Sequence, residues 1–548
     1  MADTFDYVIV GAGSAGCILA NRLTADGKYT VCILEAGPRD WHPFIHIPAG
    51  FIHTLSMPSV NWMYESEPGP GTNGRPIPVP RGKTLGGSSS INGHIYNRGQ
   101  RMDFDGWAQR GNRGWGYNDV LPYFRRTEKR IGDADDTFRG RSGNLTVTDL
   151  GATHPLCEAF LKGAAEIGIP RNADYNGERQ EGISYVQRTA YRNRRMSTAR
   201  AFLNPARSRG NLTIRTNAHA THLILEGKRA VGVAYAKGGR GGAVENVRAR
   251  REVIVSGGSV NSPQLLQLSG IGPGPLLKSL GIDVRHESPG VGENLADHYA
   301  PRICMRVKNI ETLNERSKGL RLVGEIVKYF TGGESILSLS PSMVYGFWHS
   351  DEATRPNDLQ FLFTPASYKQ GRHGLLDDFP GVTVAAWQHR PESRGHIRAR
   401  SSDPFEKPLI QPNYLTAETD QRVTVAAMKF ARRLIHTSAM RPYLDGEMYP
   451  GAEIQSDDDL LAAARDCGST TYHLMGTCRM GPDGDPTAVV DDQLRVRGME
   501  ALRIIDASVM PSMISANLNA ATMMIAEKGS DMVLGHPSPE PILVPELV

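Results

Sequence analysis

Nowhere does the sequence stay apolar for the roughly 18 consecutive residues that a membrane-crossing helix needs, so no such helix is predicted. Charge of one sign is not in excess either. The 62 Lys and Arg against 58 Asp and Glu leave +4 over 548 residues, which gives no case for nucleic-acid binding. Cysteine is scarce. Cys17, Cys32, Cys157, Cys304, Cys467 and Cys478 form no CxxC pair and no metal-ligand spacing with histidine, so no metal site is read. Cys17 and Cys32 sit inside apolar runs, as small core residues do. Free thiols and a reducing, cytoplasmic setting are expected. No basic stretch followed by an apolar run precedes the first motif, so no secretory signal is read. The balance leaves room for peripheral membrane contact.

What is present is globular composition, 40% hydrophobic and 22% charged, over a length that suggests roughly two domains. The proline-rich end, residues 536–548, is expected to be a flexible tail.

Four glycine-rich blocks punctuate the chain. Asp6 to Val10 is a buried-strand pattern. The turn Gly11-Ala-Gly-Ser-Ala-Gly16 follows it and leads into a helical pattern. Gly11, Gly13 and Gly16, with Ser14 and Ala15 between them, suit a tight turn, close approach to a pyrophosphate and close helix–strand packing. The helix start offers free amide N–H groups to phosphate. Thr30 to Leu34 is a second strand, closed by Glu35 and Ala36. The Glu35 carboxylate is placed to accept from ribose hydroxyls and would repel a 2′-phosphate. A dinucleotide other than NADP is expected. The motif alone does not separate FAD from NAD.

The second block, Pro80 to Gly99, sets Gly86 and Gly87 before three serines, a supply of backbone N–H groups for a polar ring or phosphate. The third, Arg251 to Pro273, reads as a buried strand, a glycine turn and a short helix over Asn261 to Leu268. Between these blocks, Asn211 to Tyr235 alternates like a β meander. The fourth runs from Tyr472-His-Leu-Met-Gly476 to a strand ending at Asp506, and then to a helix that Asn519 opens as N-cap. Its positive end favours negative charge nearby.

Together these blocks resemble the glucose–methanol–choline (GMC) oxidoreductases, a family of flavoenzymes. Its first signature resembles Gly82-Lys-Thr-Leu-Gly-Gly-Ser-Ser-Ser-Ile-Asn92, and its second resembles Gly258 to Gly272. Val291 to His298 and Ser393 to Leu415 also fit. The resemblance implies FAD and an α/β fold, α+β overall, in which a Rossmann-like FAD-binding domain carries a second, sheet-based substrate domain. On that pattern residues 1–150, 205–300 and 465–535 bind FAD, and residues 151–204 and 301–464 bind substrate. By the same resemblance His473 is the catalytic base and Asn519 its partner. Trp62, Asn92, the backbone at Ala220, Asp506 and Ala507 touch the cofactor. Some members attach flavin covalently through a histidine where this chain has Ile91, so non-covalent FAD is expected.

The reaction implied is oxidation of a primary alcohol to an aldehyde, with oxygen or a quinone-type acceptor taking the electrons. The same fold also resembles hydroxynitrile lyases and light-driven decarboxylases. Choline-type relatives often place a glutamate shortly before a Gly-Phe pair, and Met343 stands at that position in Ser340 to Ser350. Choline is therefore disfavoured, although Tyr345, Phe347 and Trp348 could build an aromatic cage. An uncharged alcohol is favoured, and His94, His298 and His389 are candidates to touch it. Cys478, near His473, reads as a bystander.

Overall fold

The computed structural model describes residues 3–351, 357–369 and 374–544. Two sheets organise the chain. In chain order their strands are β1 (Asp3–Val10), β2 (Val31–Leu34), β3 (Gly182–Tyr185), β4 (Leu212–Arg215), β5 (Ala218–Glu226), β6 (Arg229–Lys237) and β7 (Val244–Val255). They continue as β8 (Arg302–Val307), β9 (Val344–Trp348), β10 (Leu359–Thr364), β11 (Gly381–Gln388), β12 (Leu444–Tyr449) and β13 (Leu502–Ile504). Five helices matter for the site: α1 (Ser14–Leu23), α2 (Gly258–Leu268), α3 (Gly319–Phe330), α4 (Glu418–Ile435) and α5 (Leu518–Leu534).

The first sheet has the order β4-β2-β1-β7-β6-β5, with β13 on the other flank of β7. Its β4, β2, β1, β7 and β13 run parallel, and β7, β6 and β5 form an antiparallel meander. All four residues of β2 and the last four of β1 are buried. Both faces of a parallel sheet are covered, which is why these strands read as unbroken apolar runs. Such a sheet binds ligands beyond the carboxyl ends of its strands. Here β1, β2, β7 and β13 end together at Gly11, Glu35, Ser256 and Asp506, all of which line one cavity.

The second sheet, β12-β8-β11-β10-β9-β3, is antiparallel throughout. One face packs on α4, with Phe361 edge-on to Phe430 at 5.1 Å between ring centroids. The alternation of a strand sends Phe361 and Phe363 into that core and their neighbours Leu362 and Thr364 into the cavity.

Four local expectations are corrected. The helix read over 261–268 begins at Gly258, because Asp506 accepts from the Gly258 N–H at 2.8 Å and anchors the first turn. The last helix begins at Leu518, so Asn517 is its N-cap and Asn519 lies inside the first turn. The tail is docked as far as Val544. Ile542 N–H donates to Asn118 O at 3.0 Å, Arg101 donates to Val544 O at 2.8 Å, and Val544 is buried. Residues 545–548 of that tail lie outside the described residues. Residues Ala199–Leu203, read from sequence with the substrate segments, pack into the core of the first sheet, where Asn21 donates to Phe202 O.

Candidate active site

The nucleotide end of the cavity is built by glycines. Gly11 has a φ of 97°, and a Cβ there would stand 2.5 Å from Ser256 O. A Cβ on Gly16 would meet Gly11 O at 1.9 Å, so only glycine lets α1 close onto β1. A Cβ on Gly87 would lie 2.7 Å from Gly13 Cα, which brings the two glycine loops into contact. Gly13, Ser14, Ala15, Glu35, Ala36, Trp62, Gly87, Asn92, Ala220, Asp506 and Ala507 line the cavity. Gly16 and Gly86 do not. Both lie behind the wall, Gly86 donating its N–H to Ala12 O, so theirs is a packing role.

Glu35 is buried at the end of β2. Its oxygens accept from Ala12 N at 3.0 Å and Gly37 N at 2.8 Å. Burial pushes its carboxyl up to about 7, against the pull of those two amides and Lys83. Each oxygen keeps a second lone pair for a ligand hydroxyl. The starts of α1 and α5 carry no side-chain cap, and each contributes first-turn residues to the lining. Uncapped helix starts present free N–H groups and a positive dipole end to an anion. Gly258 has φ 80° and open space where a Cβ would stand. The whole cavity, from this end to the imidazole, is about 400 Å³ in volume.

At the far end stands His473. Tyr472 before it adopts φ 71°, and Asp297 holds that turn. Its Oδ1 accepts from His473 N at 2.7 Å, and its Oδ2 accepts from the Tyr414 and Thr470 hydroxyls. Arg81 donates to Tyr472 O at 2.8 Å. The imidazole Nε2 lies 3.1 Å from Asn517 Nδ2, and Nδ1 lies 2.8 Å from both His298 Nδ1 and Thr471 Oγ1.

These contacts fix the tautomers. His298 Nε2 faces the His389 carbonyl at 2.7 Å, and a carbonyl only accepts, so His298 carries its proton on Nε2. Its Nδ1 is then a bare acceptor. His473 must donate to it from Nδ1, which leaves Nε2 unprotonated and accepting from Asn517 Nδ2. Burial drives His473 well below the usual histidine range, with His298 and Arg81 adding repulsion. Burial lowers His298 to about 4. Both rings are neutral at pH 7.

The partner of His473 is Asn517, not Asn519. Asn519 Oδ1 accepts instead from Ser14 Oγ at 2.7 Å, at the start of α1. Two asparagines two residues apart read alike in sequence, and only the helix start separates them. His94 lines the cavity, whereas His298 and His389 stand behind His473 rather than against a substrate. Sequence reasoning missed Asn517, Asp297, Thr471 and the role of His298.

The second sheet forms the roof. Arg302, Ala385, Leu362 and Tyr345 are successive cross-strand partners on β8, β11, β10 and β9, and all four line the cavity. Met343 does not. It is buried in the second core beside Cys157, so its position says nothing about substrate charge. Phe347 packs on Tyr175 and His389, and neither Phe347 nor Trp348 joins the lining, so of the three expected cage aromatics only Tyr345 is in place. The carboxylates among the described lining residues are Glu35 and Asp506, and both serve the nucleotide end. Near the imidazole stand Arg81 and the buried Asp297, and Arg302 lines the cavity from the roof. Arg302 has no ion-pair partner among the described residues.

This is the cavity of a two-sheet flavoprotein, and the comparisons agree. GMC oxidoreductase family models match residues 5–300 and 391–526, and the chain belongs to that family. It is 42% identical to the mitochondrial choline dehydrogenase of Homo sapiens, covering 98% of this chain and 91% of that one. It is 39% identical to the alcohol dehydrogenase [acceptor] of Pseudomonas putida, covering 97% and 96%. Among solved structures it resembles pyridoxine 4-oxidase from Mesorbium loti, with a TM-score of 0.86 and 29% identity over 97% of this chain and 99% of that one. The protein is an FAD-dependent oxidoreductase of CH–OH groups. The glycine cradle, the uncapped helix starts and Glu35 fit the pyrophosphate and ribose of FAD.

Proposed function

We propose that the protein oxidises an uncharged primary alcohol to the aldehyde, with His473 as base. FAD held by the glycine cradle, the start of α1 and Glu35 would supply the hydride acceptor. His473 Nε2 takes the hydroxyl proton, and Asn517 Nδ2 donates to the same oxygen and orients it. The imidazolium so formed keeps donating through Nδ1 to His298 and Thr471, whose acceptors stabilise it. The observation that carries this reading is the proton order of the His389–His298–His473 chain, which leaves an unprotonated nitrogen at the cavity wall. Ile91 lines the cavity and offers no nucleophile, which supports non-covalent FAD.

The acid-free roof with Arg302 supports a neutral substrate rather than a quaternary ammonium, since a buried cation wants a carboxylate or an aromatic cage. The test is an alcohol panel on purified protein, with oxygen and with a quinone or dye acceptor, read alongside anaerobic bleaching of the flavin. Neutral primary alcohols should bleach it, and His473→Ala should lose turnover while retaining FAD. A flavin that no alcohol bleaches would count against oxidation and favour a lyase.

A further inference from the structure

Helix α3 carries an apolar stripe that faces solvent. Leu320 is 89% exposed, Val323 54%, Val327 58% and Phe330 74%. Their spacing of three, four and three residues puts them on one side of the helix. The other side is already anchored. Tyr329 is buried and its hydroxyl donates to Asn193 O at 2.7 Å, while Glu325 turns inward to Arg316. The stripe is therefore not a core face lacking its core.

The surroundings are cationic. Lys318, Arg321 and Lys328 lie on or beside the helix, and Arg192 and Arg194 flank Asn193, which Tyr329 grips. Asp378 answers Lys318 and Glu311 answers Arg321. Lys328, Arg192 and Arg194 have no ion-pair partner among the described residues. The exposed Glu334 is the other acid near this end. Five cations stand against three acids, and the uncompensated ones gather at the Phe330 end.

We propose that α3 docks the protein onto an anionic phospholipid surface. A Leu/Val/Phe face bordered by Lys and Arg is the pattern of a helix that lies in the headgroup plane, adding apolar burial to attraction for anionic lipid. A second copy of the chain fits less well. A two-fold contact would set this cationic patch against itself. The helix also adjoins the cavity rim. Lys318 Nζ donates to Asp377 O, and in the same stretch Tyr368 and Gly374 line the cavity and Leu375 is exposed. A docked helix sets that rim near the headgroups.

The experiment is co-sedimentation of the holoenzyme with vesicles of phosphatidylglycerol and phosphatidylcholine, and with phosphatidylcholine alone. Binding is expected to the anionic vesicles and to fall with added salt. The variant Leu320→Ser/Val323→Ser/Val327→Ser/Phe330→Ser should bind them at least ~10-fold less, with unchanged flavin content and unchanged turnover of a water-soluble alcohol. Arg192→Gln/Arg194→Gln/Lys328→Gln should lose the preference for anionic lipid. Absence of binding to anionic vesicles, or equal binding by the serine variant, overturns the proposal. So does a solution dimer that the serine variant dissociates without any vesicle binding.

Discussion

His298 Nδ1 lies 2.8 Å from His473 Nδ1, and the His389 carbonyl at the far side of the His298 ring decides which of the two gives the proton. The protonation of the proposed base is thereby set by a group that does not line the cavity. His298→Ala should lower kcat/KM by ~10–100-fold with FAD content intact, because loss of an orienting partner typically acts on this scale. His298→Gln, whose carboxamide can still accept from Nδ1, should recover part of the loss. Steady-state kinetics on the two variants checks this, and equal rates for wild type and His298→Ala would dismiss the tautomer argument.

Removal of the base itself should be harsher. General-base catalysis contributes ~10²–10⁴-fold, and His473→Ala should lose about that much. Asn517→Ala should lower kcat at similar flavin content. Asn519→Ala should leave kcat of the flavin-loaded fraction near wild type, since its carboxamide is engaged with Ser14. A larger kcat loss in the Asn519 variant would reverse the assignment.

Stability should fall on acidification. His298 has its folded-state value lowered by burial from 6.5 to about 4. The unfolded chain therefore binds the proton first. The contribution is fully present above 6.5 and is lost as pH falls through 4, up to about 3 kcal/mol for this ring. Thermal melts between pH 7 and pH 4 should show the decline, and His298→Gln should flatten it. His473 shifts in the same direction, so the acid limb of kcat/KM should lie below the ordinary histidine range.

Substrate charge should matter through Arg302. Choline should be turned over at least ~10-fold less efficiently than its neutral isostere 3,3-dimethylbutan-1-ol, given the size of a partly screened charge–charge term. Arg302→Glu should narrow or invert that ratio. A wild-type preference for choline would show that the roof charge does not face the substrate.

Gly87→Ala should weaken the cradle. The residue has φ 51° and its added Cβ would press on Gly13 Cα. A left-handed alanine costs about 1–2 kcal/mol before the clash is counted. A lowered Tm together with flavin loss on gel filtration is the expected pair of results.

Much of the fold was legible because its signals are local. The apolar runs of β1 and β2, the glycine spacing before α1 and the acid that closes β2 all lie within one short stretch. The site was less legible because it is assembled from afar. His298 and His473 meet across 175 residues, and nothing in either neighbourhood announces the other. Gly86 and Gly87 are adjacent, yet only one faces the cavity. The helical period of α3 was visible in principle, but periodicity cannot tell whether an apolar stripe faces a core or water.

Asn517 occupies the position from which an asparagine ordinarily folds back on the first-turn amides, an arrangement worth about 1 kcal/mol. Its carboxamide is turned to the imidazole instead, and the helix starts without that support. On the role proposed for Asn517, selection for heat resistance alone would bring a serine or aspartate here and lower turnover. At this one residue, ruggedness and reactivity pull the sequence in opposite directions.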